Sequence, residues 1–192
     1  MVPQTVATSS QTSAPWGELD ADEKRQRLLD VAKDVFTEQG LEATMPRVAT
    51  AAGVGVGSLY RSYGSKEDLV AALVIRQLRL LQTEVALAAE QKDAWTAIEQ
   101  SVRRTAERQS TNKLLRGALG LTSERRDVVM ALGEVSLAWQ QLIDRAREEG
   151  TVRSDATVND LRFIFAAARA ADEVAPGGGD RILTLLLEAL RR

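Results

Sequence analysis

The spacing of apolar positions outlines this chain before any motif is considered. Leu28, Ala32, Val35 and Phe36 recur at the three- and four-residue steps of one helix face, behind a start at Asp20 or Asp22 and ahead of a stop at Gly40. The pattern then shortens. Val48, Ala49 and Ala52 give a small apolar face to a helix opening at Met45 and Pro46, where the missing proline N–H has no helical partner to lose. Gly53 ends that helix, Val54 plugs the turn, and a second short helix over about 55–63 turns Leu59 and Tyr63 inward. Ser65 then caps a long helix running to about Ala89 through Leu69, Leu73, Ile75, Leu78, Leu81 and Val85.

Further helices follow. Trp95, Ile98, Val102 and Ala106 keep helical period over 94–110, and Thr111 or Asn112 caps a short segment that ends near Gly120. Thr122 or Ser123 is the expected start of a long helix with Val128, Leu132, Val135, Trp139, Leu142 and Ala146 on one stripe, stopped by Gly150. Two helices over 156–173 and 182–190 flank a turn at Pro176 and Gly177 to Gly179. No stretch keeps a strand pattern, so the expected class is all-α.

The last two helices are apolar on two sides. Leu161, Ile164, Phe165 and Ala168 make one face of the first, and Phe163, Ala166, Ala167 and Ala170 the other. In the second, Ile182, Leu186 and Ala189 follow one line and Leu183, Leu187 and Leu190 another. Both sides need cover, and nothing later in the sequence supplies it. The pattern therefore predicts a symmetric dimer through a four-helix bundle, with Phe163, Ala166, Ala167, Ala170, Leu183, Leu187 and Leu190 at the interface. Burial of both helices in the core of one subunit is the other arrangement this pattern allows.

Composition narrows the chemistry. The chain has no cysteine and no histidine, which removes disulfides, thiolate metal sites, the commonest general base and the commonest metal ligand. No acidic pair sits on an otherwise apolar face where its pKa would shift, so an enzyme is not expected and neither is a cofactor or metal. No apolar run reaches bilayer length, and the N-terminus lacks an apolar signal core, so a soluble cytoplasmic protein is expected. Residues 1–18 are polar, Ser/Thr-rich and aperiodic, which predicts a disordered tail. With no Lys or Arg before Lys24, that tail is not expected to read a minor groove.

The formal net charge is −2, yet from Ala43 to Lys66 the chain holds Arg47, Arg61 and Lys66 and no acidic residue. Two short helices joined by a glycine turn, inside a locally basic window, are the helix-turn-helix pattern that places its second helix in a DNA major groove. A phosphate-cradling reading of the GVGVG stretch fails, because it follows a helical pattern and lacks the G-x-G-x-x-G spacing.

These residues make a composite. F-x-x-x-G at Phe36 to Gly40 is followed by T-M-x-x-V-A from Thr44, A-G-V-x-x-G-S-L-Y from Ala52 and S-K-E-x-L from Ser65. In that order the stretch resembles the DNA-binding domain of TetR-family transcriptional regulators. The resemblance implies a DNA-binding domain over 19–68 and an effector-binding and dimerisation domain over 69–192. It also implies that Thr44 and Lys66 contact phosphate and that Tyr60 lies against the backbone at the groove edge. Arg47, Gly55, Val56, Ser58, Arg61 and Ser62 fall at positions that can face bases or backbone. Thr44 and Ser65 can equally serve as helix caps, Arg61 as a solvated charge, and Lys24, Arg25 and Arg27 as phosphate contacts or solvated residues. Gly55 and Val56 depart from the family's usual serine and basic residue, which leaves fewer hydrogen bonds to bases and more reliance on Arg47, phosphate register and DNA shape.

The C-terminal half, with D-A-W-x-A-I from Asp93, R-x-x-A-E from Arg103 and G-x-V-R-x-D from Gly150, resembles effector domains found with many actinobacterial members. Large apolar residues from several helices, namely Trp95, Val102, Leu115, Met130, Trp139 and Phe165, are candidate pocket walls or plain core. Arg103 and Arg104 pair with an anionic effector or lie in solvent. The expected function is a homodimeric, ligand-responsive regulator, by family default a repressor, released from a palindromic operator by a small molecule. A DNA-bound adaptor whose helical domain docks another protein is the alternative.

Overall fold

A computed structural model describes residues 16–192, and among these the chain is organised as nine α-helices. Trp16–Glu18 form a single 3-10 turn, half-burying Trp16 with the Arg27 guanidinium 5.9 Å from its ring. The rest of the expected tail lies outside the described residues.

Three helices and the start of a fourth build the N-terminal head. Helix α1, Ala21–Gln39, opens with a capping box in which Asp20 accepts from the Glu23 amide and Glu23 from the Asp20 amide, both at 2.8 Å. It closes at Gly40, whose φ of 76° suits glycine. Helices α2, Met45–Ala51, and α3, Val56–Ser62, are joined through Gly53, again at positive φ. Leu28, Ala32 and Phe36 of α1 meet Val48, Ala49, Leu59 and Leu69 in one buried cluster. Fully burying each leucine contributes about 1.5–3 kcal/mol, which sets the angle between two helices too short to stand alone.

Helix α4, Lys66–Ala88, leaves the head and runs along α7, Arg126–Glu148. Around this pair lie α5, Ala94–Thr111, and α6, Lys113–Thr122, while α8, Val158–Val174, packs on α9, Gly178–Leu190. Asn112 caps α6 by accepting from the Leu115 amide at 2.8 Å. The C-terminus is pinned to the turn after α7: the Arg153 amide donates to the Leu190 carbonyl and the Arg192 amide to the Thr151 carbonyl, both at 3.1 Å.

Three expectations need correction. Thr122 does not open α7. It ends α6, its hydroxyl donating to the Ala118 carbonyl at 2.8 Å, and α7 begins three residues beyond Ser123 behind Arg125. Gly178 and Gly179 are helical rather than part of the turn. A Cβ at Gly178 would stand 2.5 Å from the Ala171 carbonyl oxygen, so glycine is what lets α9 start against α8. Leu183, Leu187 and Leu190 are buried within the subunit, at 4%, 1% and 6% exposure, because this line of α9 packs against α8. They are core and not a free outer face. The apolar residues left outside are Phe163, Ala166, Ala170 and Val174 of α8 with Leu185 and Ala189 of α9, and Ala167 is half-buried between the two sides.

Candidate nucleic-acid interface and ligand cavity

Helix α3 divides cleanly into two faces. Leu59 is fully buried, and Tyr63, just past the helix end, is nearly so; Val56, Gly57, Tyr60 and Arg61 share an exposed face at helical spacing. Tyr63 ties the helix down. Its hydroxyl donates to the Arg25 carbonyl at 2.8 Å, and the Arg25 guanidinium lies 4.4 Å from the ring centroid while donating to the Ser62 carbonyl. Burial raises the Tyr63 hydroxyl pKa and keeps it a neutral donor. Arg25, exposed on α1, thereby clamps the end of α3 onto α1.

The other candidates lie at the exposed side of this unit. Thr44 occupies the N-cap of α2, but its exposed hydroxyl makes no capping bond, so the cap reading does not account for it. Ser65 does cap, accepting from the Asp68 amide at 3.0 Å. Arg47 is exposed, and with the Gln39 amide oriented to satisfy both groups its side-chain oxygen accepts from Arg47 at 2.9 and 3.1 Å, a neutral partner that leaves the charge available. Arg61 donates to the Ser58 hydroxyl at 2.9 Å, and Ser62 to the Ser58 carbonyl at 3.2 Å. Lys66 and Ser58 are half-buried, Gly55 is exposed, and Tyr60 stands 46% exposed without a role in the core. The result is a short helix whose exposed face carries Arg61 and Tyr60 and, in its first turn, Gly57 without a side chain.

Asp68 connects this unit to the second domain. Its carboxylate accepts from the Ser65 hydroxyl at 2.8 Å and pairs at 3.0 Å with Arg125, which leads into α7 and also holds Asp127. The Ser65 bond, aided by Arg125, pulls the Asp68 pKa below the ordinary carboxylate value, and the Arg125 bond does the same to Asp127.

A cavity of about 580 Å³ opens between α4, α5, α6, α7 and α8. Leu78, Leu115, Leu132, Trp139, Leu161 and Phe165 form much of its wall, with Trp139 and Phe165 edge to face at 6.2 Å. Its size and apolar lining fall in the range of small-molecule sites. Of the candidate pocket residues, Leu115, Trp139 and Phe165 line it. Val102 is fully buried core, Trp95 is buried with the Arg191 guanidinium 5.3 Å from its ring, and Met130 points outward at 60% exposure. Size and apolarity do not separate these three from the lining residues, because the cavity is set by where five helices diverge. The contributions of α4 (Val74, Gln77, Leu78 and Leu81) were missed as pocket residues, although the apolar stripe includes Leu78 and Leu81. Arg103 is held by Glu99 at 3.0 Å and Asp180 at 3.3 Å, and Arg104 bonds the Ser101 hydroxyl at 3.4 Å; neither lines this cavity.

Among the described residues no helix is long and apolar enough to cross a membrane. Residues 28–73 match the model for bacterial regulatory proteins of the tetR family, and residues 93–192 match the C-terminal domain of SbtR-like transcriptional regulators. An HTH-type transcriptional regulator of Staphylococcus aureus strain USA300 is 40% identical over 65 residues, which are 33% of this chain and 35% of that protein. The match thus spans about a third of the length of this curated relative. A TetR transcriptional regulator of Streptomyces coelicolor superposes with a TM-score of 0.62 at 28% identity, over 87% of this chain and 98% of that one. SmeT, the repressor of the Stenotrophomonas maltophilia multidrug efflux pump SmeDEF, shares the fold with a TM-score of 0.67 at 20% identity, over 91% of this chain and 93% of its own; it is also known in complex with triclosan. With the second model covering more than half of its length, the chain belongs to the TetR family of bacterial regulatory proteins, as a helix-turn-helix transcriptional regulator with an SbtR-like C-terminal domain.

Proposed function

We propose that this protein is a homodimeric transcriptional repressor that binds a palindromic operator through α3 and is released by a small-molecule effector held in the cavity. The observation that carries the reading is the course of α4. It is capped by Ser65 inside the head and, from Val74 to Leu81, lines the cavity as the same unbroken helix. An effector that prefers a different position of α4 therefore also moves the head, and it weakens DNA binding only by its preference for that conformer. The Asp68–Arg125 pair adds a second link, from the first turn of α4 to the start of α7, whose Leu132 and Trp139 line the same cavity.

In this reading Thr44 and Lys66 hold phosphates, Tyr60 lies against the DNA backbone, and Gly55, Val56, Ser58, Arg61, Ser62 and Arg47 approach the groove. The exposed apolar face of α8 and α9 pairs with its copy in a four-helix bundle, setting the two α3 helices about 34–36 Å apart for successive major grooves. The protein acts where the DNA is, in the cytoplasm.

The test is an anisotropy titration against DNA flanking the protein's own gene at two salt concentrations. Saturable binding that outcompetes random DNA and weakens steeply with salt supports the reading. Tyr60→Ala and Lys66→Ala should each weaken that binding with the fold intact; unchanged affinity in both removes α3 as the reading helix.

A further inference from the structure

The cavity wall carries four arginines, Arg108, Arg116, Arg162 and Arg169, and no aspartate or glutamate among the described residues that line it. Their partners differ. Arg108 is neutralised by Glu84 at 2.7 Å, and Arg169 has a longer pairing with Glu173 at 3.5 Å. Arg162 bonds the Ser136 hydroxyl at 3.0 Å and the Asn159 side-chain oxygen at 3.2 Å, and Arg116 only the Ser110 carbonyl at 3.4 Å. Two cations at an apolar cavity are thus left with neutral oxygens alone.

Their placement gives the cavity a direction. An outer cleft of about 650 Å³, reaching the start of α9 and lined also by Arg103, Glu107, Asp172, Glu173 and Asp180, shares Gln109, Arg116, Phe165 and Arg169 with the cavity, so these four residues form the neck between the acidic cleft and the carboxylate-free cavity. Arg162, Phe165 and Arg169 follow one another at helical spacing on the side of α8 that borders the cavity. Seven residues of helix make the step from Arg162 to Arg169 about 10.5 Å deep.

From this we infer that the effector is an amphipathic anion, its apolar body in the cavity and its carboxylate or phosphate head between Arg116 and Arg169 at the neck. The inference rests on the cavity being the effector site. An anion at the neck supplies Arg116 with the charged acceptor that its one long bond to the Ser110 carbonyl does not, whereas a cation there would meet Arg116 and Arg169.

The probes are decanoate, decyl phosphate, decanol and decylammonium, each added below its micellar concentration. Binding is measured by calorimetry and by Trp139 fluorescence, with Trp139→Phe identifying the signal, and DNA release is followed by anisotropy. Decanoate or decyl phosphate should bind at least about fivefold tighter than decanol, for a charge-assisted pair at a partly exposed neck. The stronger of the two anions identifies the head group. In Arg116→Gln/Arg169→Gln, whose changes lie at exposed positions, anion affinity should fall to the decanol level while decanol binding is unchanged. Equal binding of decanol and the anions, tighter binding of decylammonium, insensitivity to the double substitution, or no binding at all overturns the inference. Anion binding with the expected arginine dependence but no loss of DNA affinity upholds the ligand class and removes the effector role. DNA release by decanol without binding of either anion does the reverse.

Discussion

Gly57 is the position where the demands of folding and of DNA reading separate most cleanly. It is the second residue of α3, at ordinary negative φ, and a Cβ built there meets nothing closer than the Arg61 guanidinium at 3.9 Å. Alanine therefore fits without displacement. In a helix interior glycine costs about 1 kcal/mol against alanine; in the first turn, where the amides lack helical acceptors in any case, about 0.5 kcal/mol is the better figure. Gly57→Ala should thus raise the melting temperature of this chain by roughly 1–2 °C. The same methyl stands beside Tyr60 and Arg61 on the exposed face, where in the proposed complex it would hold the α3 backbone away from base edges. Operator affinity should fall at least about tenfold, a loss of about 1.4 kcal/mol. Thermal unfolding and DNA anisotropy on one preparation read both effects. A lower melting temperature would refute the open-space argument, and a raised one with unchanged affinity would refute the approach of this face to DNA.

Other expectations follow from the packing and the charges. Phe163→Glu places like charges across the proposed two-fold on a residue 69% exposed in the subunit, so sedimentation at micromolar concentration should show monomers with unchanged thermal stability of the subunit fold; persistent dimers place the interface elsewhere. Gly178→Ala drives a Cβ into the Ala171 carbonyl and should cost about 1–3 kcal/mol in denaturant unfolding, whereas Gly133→Ala, with nothing within 4 Å, should stabilise α7 by about 0.5–1 kcal/mol. Equal effects of the two would remove the close α8–α9 crossing. Asp68 and Asp127 have folded pKa values below their unfolded ones, so their contribution is present above about pH 4 and is lost as pH falls through the folded values. The stability difference between the wild type and Arg125→Gln should accordingly be measurable at neutral pH and shrink below about pH 4; a constant difference would assign it to packing.

Periodicity, caps and glycines were enough to place most of the helices, because these are local properties. Asp20, Ser65 and Asn112 each cap a helix where a residue of their type precedes an apolar face, and Gly40, Gly53 and Gly150 end helices at positive φ. The helix-turn-helix was legible for the same reason, since its spacing lies within some forty consecutive residues. What the tertiary structure decided is everything that depends on which face meets which neighbour. Both lines of α9 are apolar, and only its crossing with α8 assigns Leu183, Leu187 and Leu190 to the core and leaves Phe163 and Leu185 outside. Only the α1–α3 contact gives the exposed Arg25 its second role as a clamp. The cavity was the least legible feature of all: its walls come from five helices separated by up to about ninety residues, and the neighbours that distinguish Arg116 from Arg103 exist only once those helices are packed.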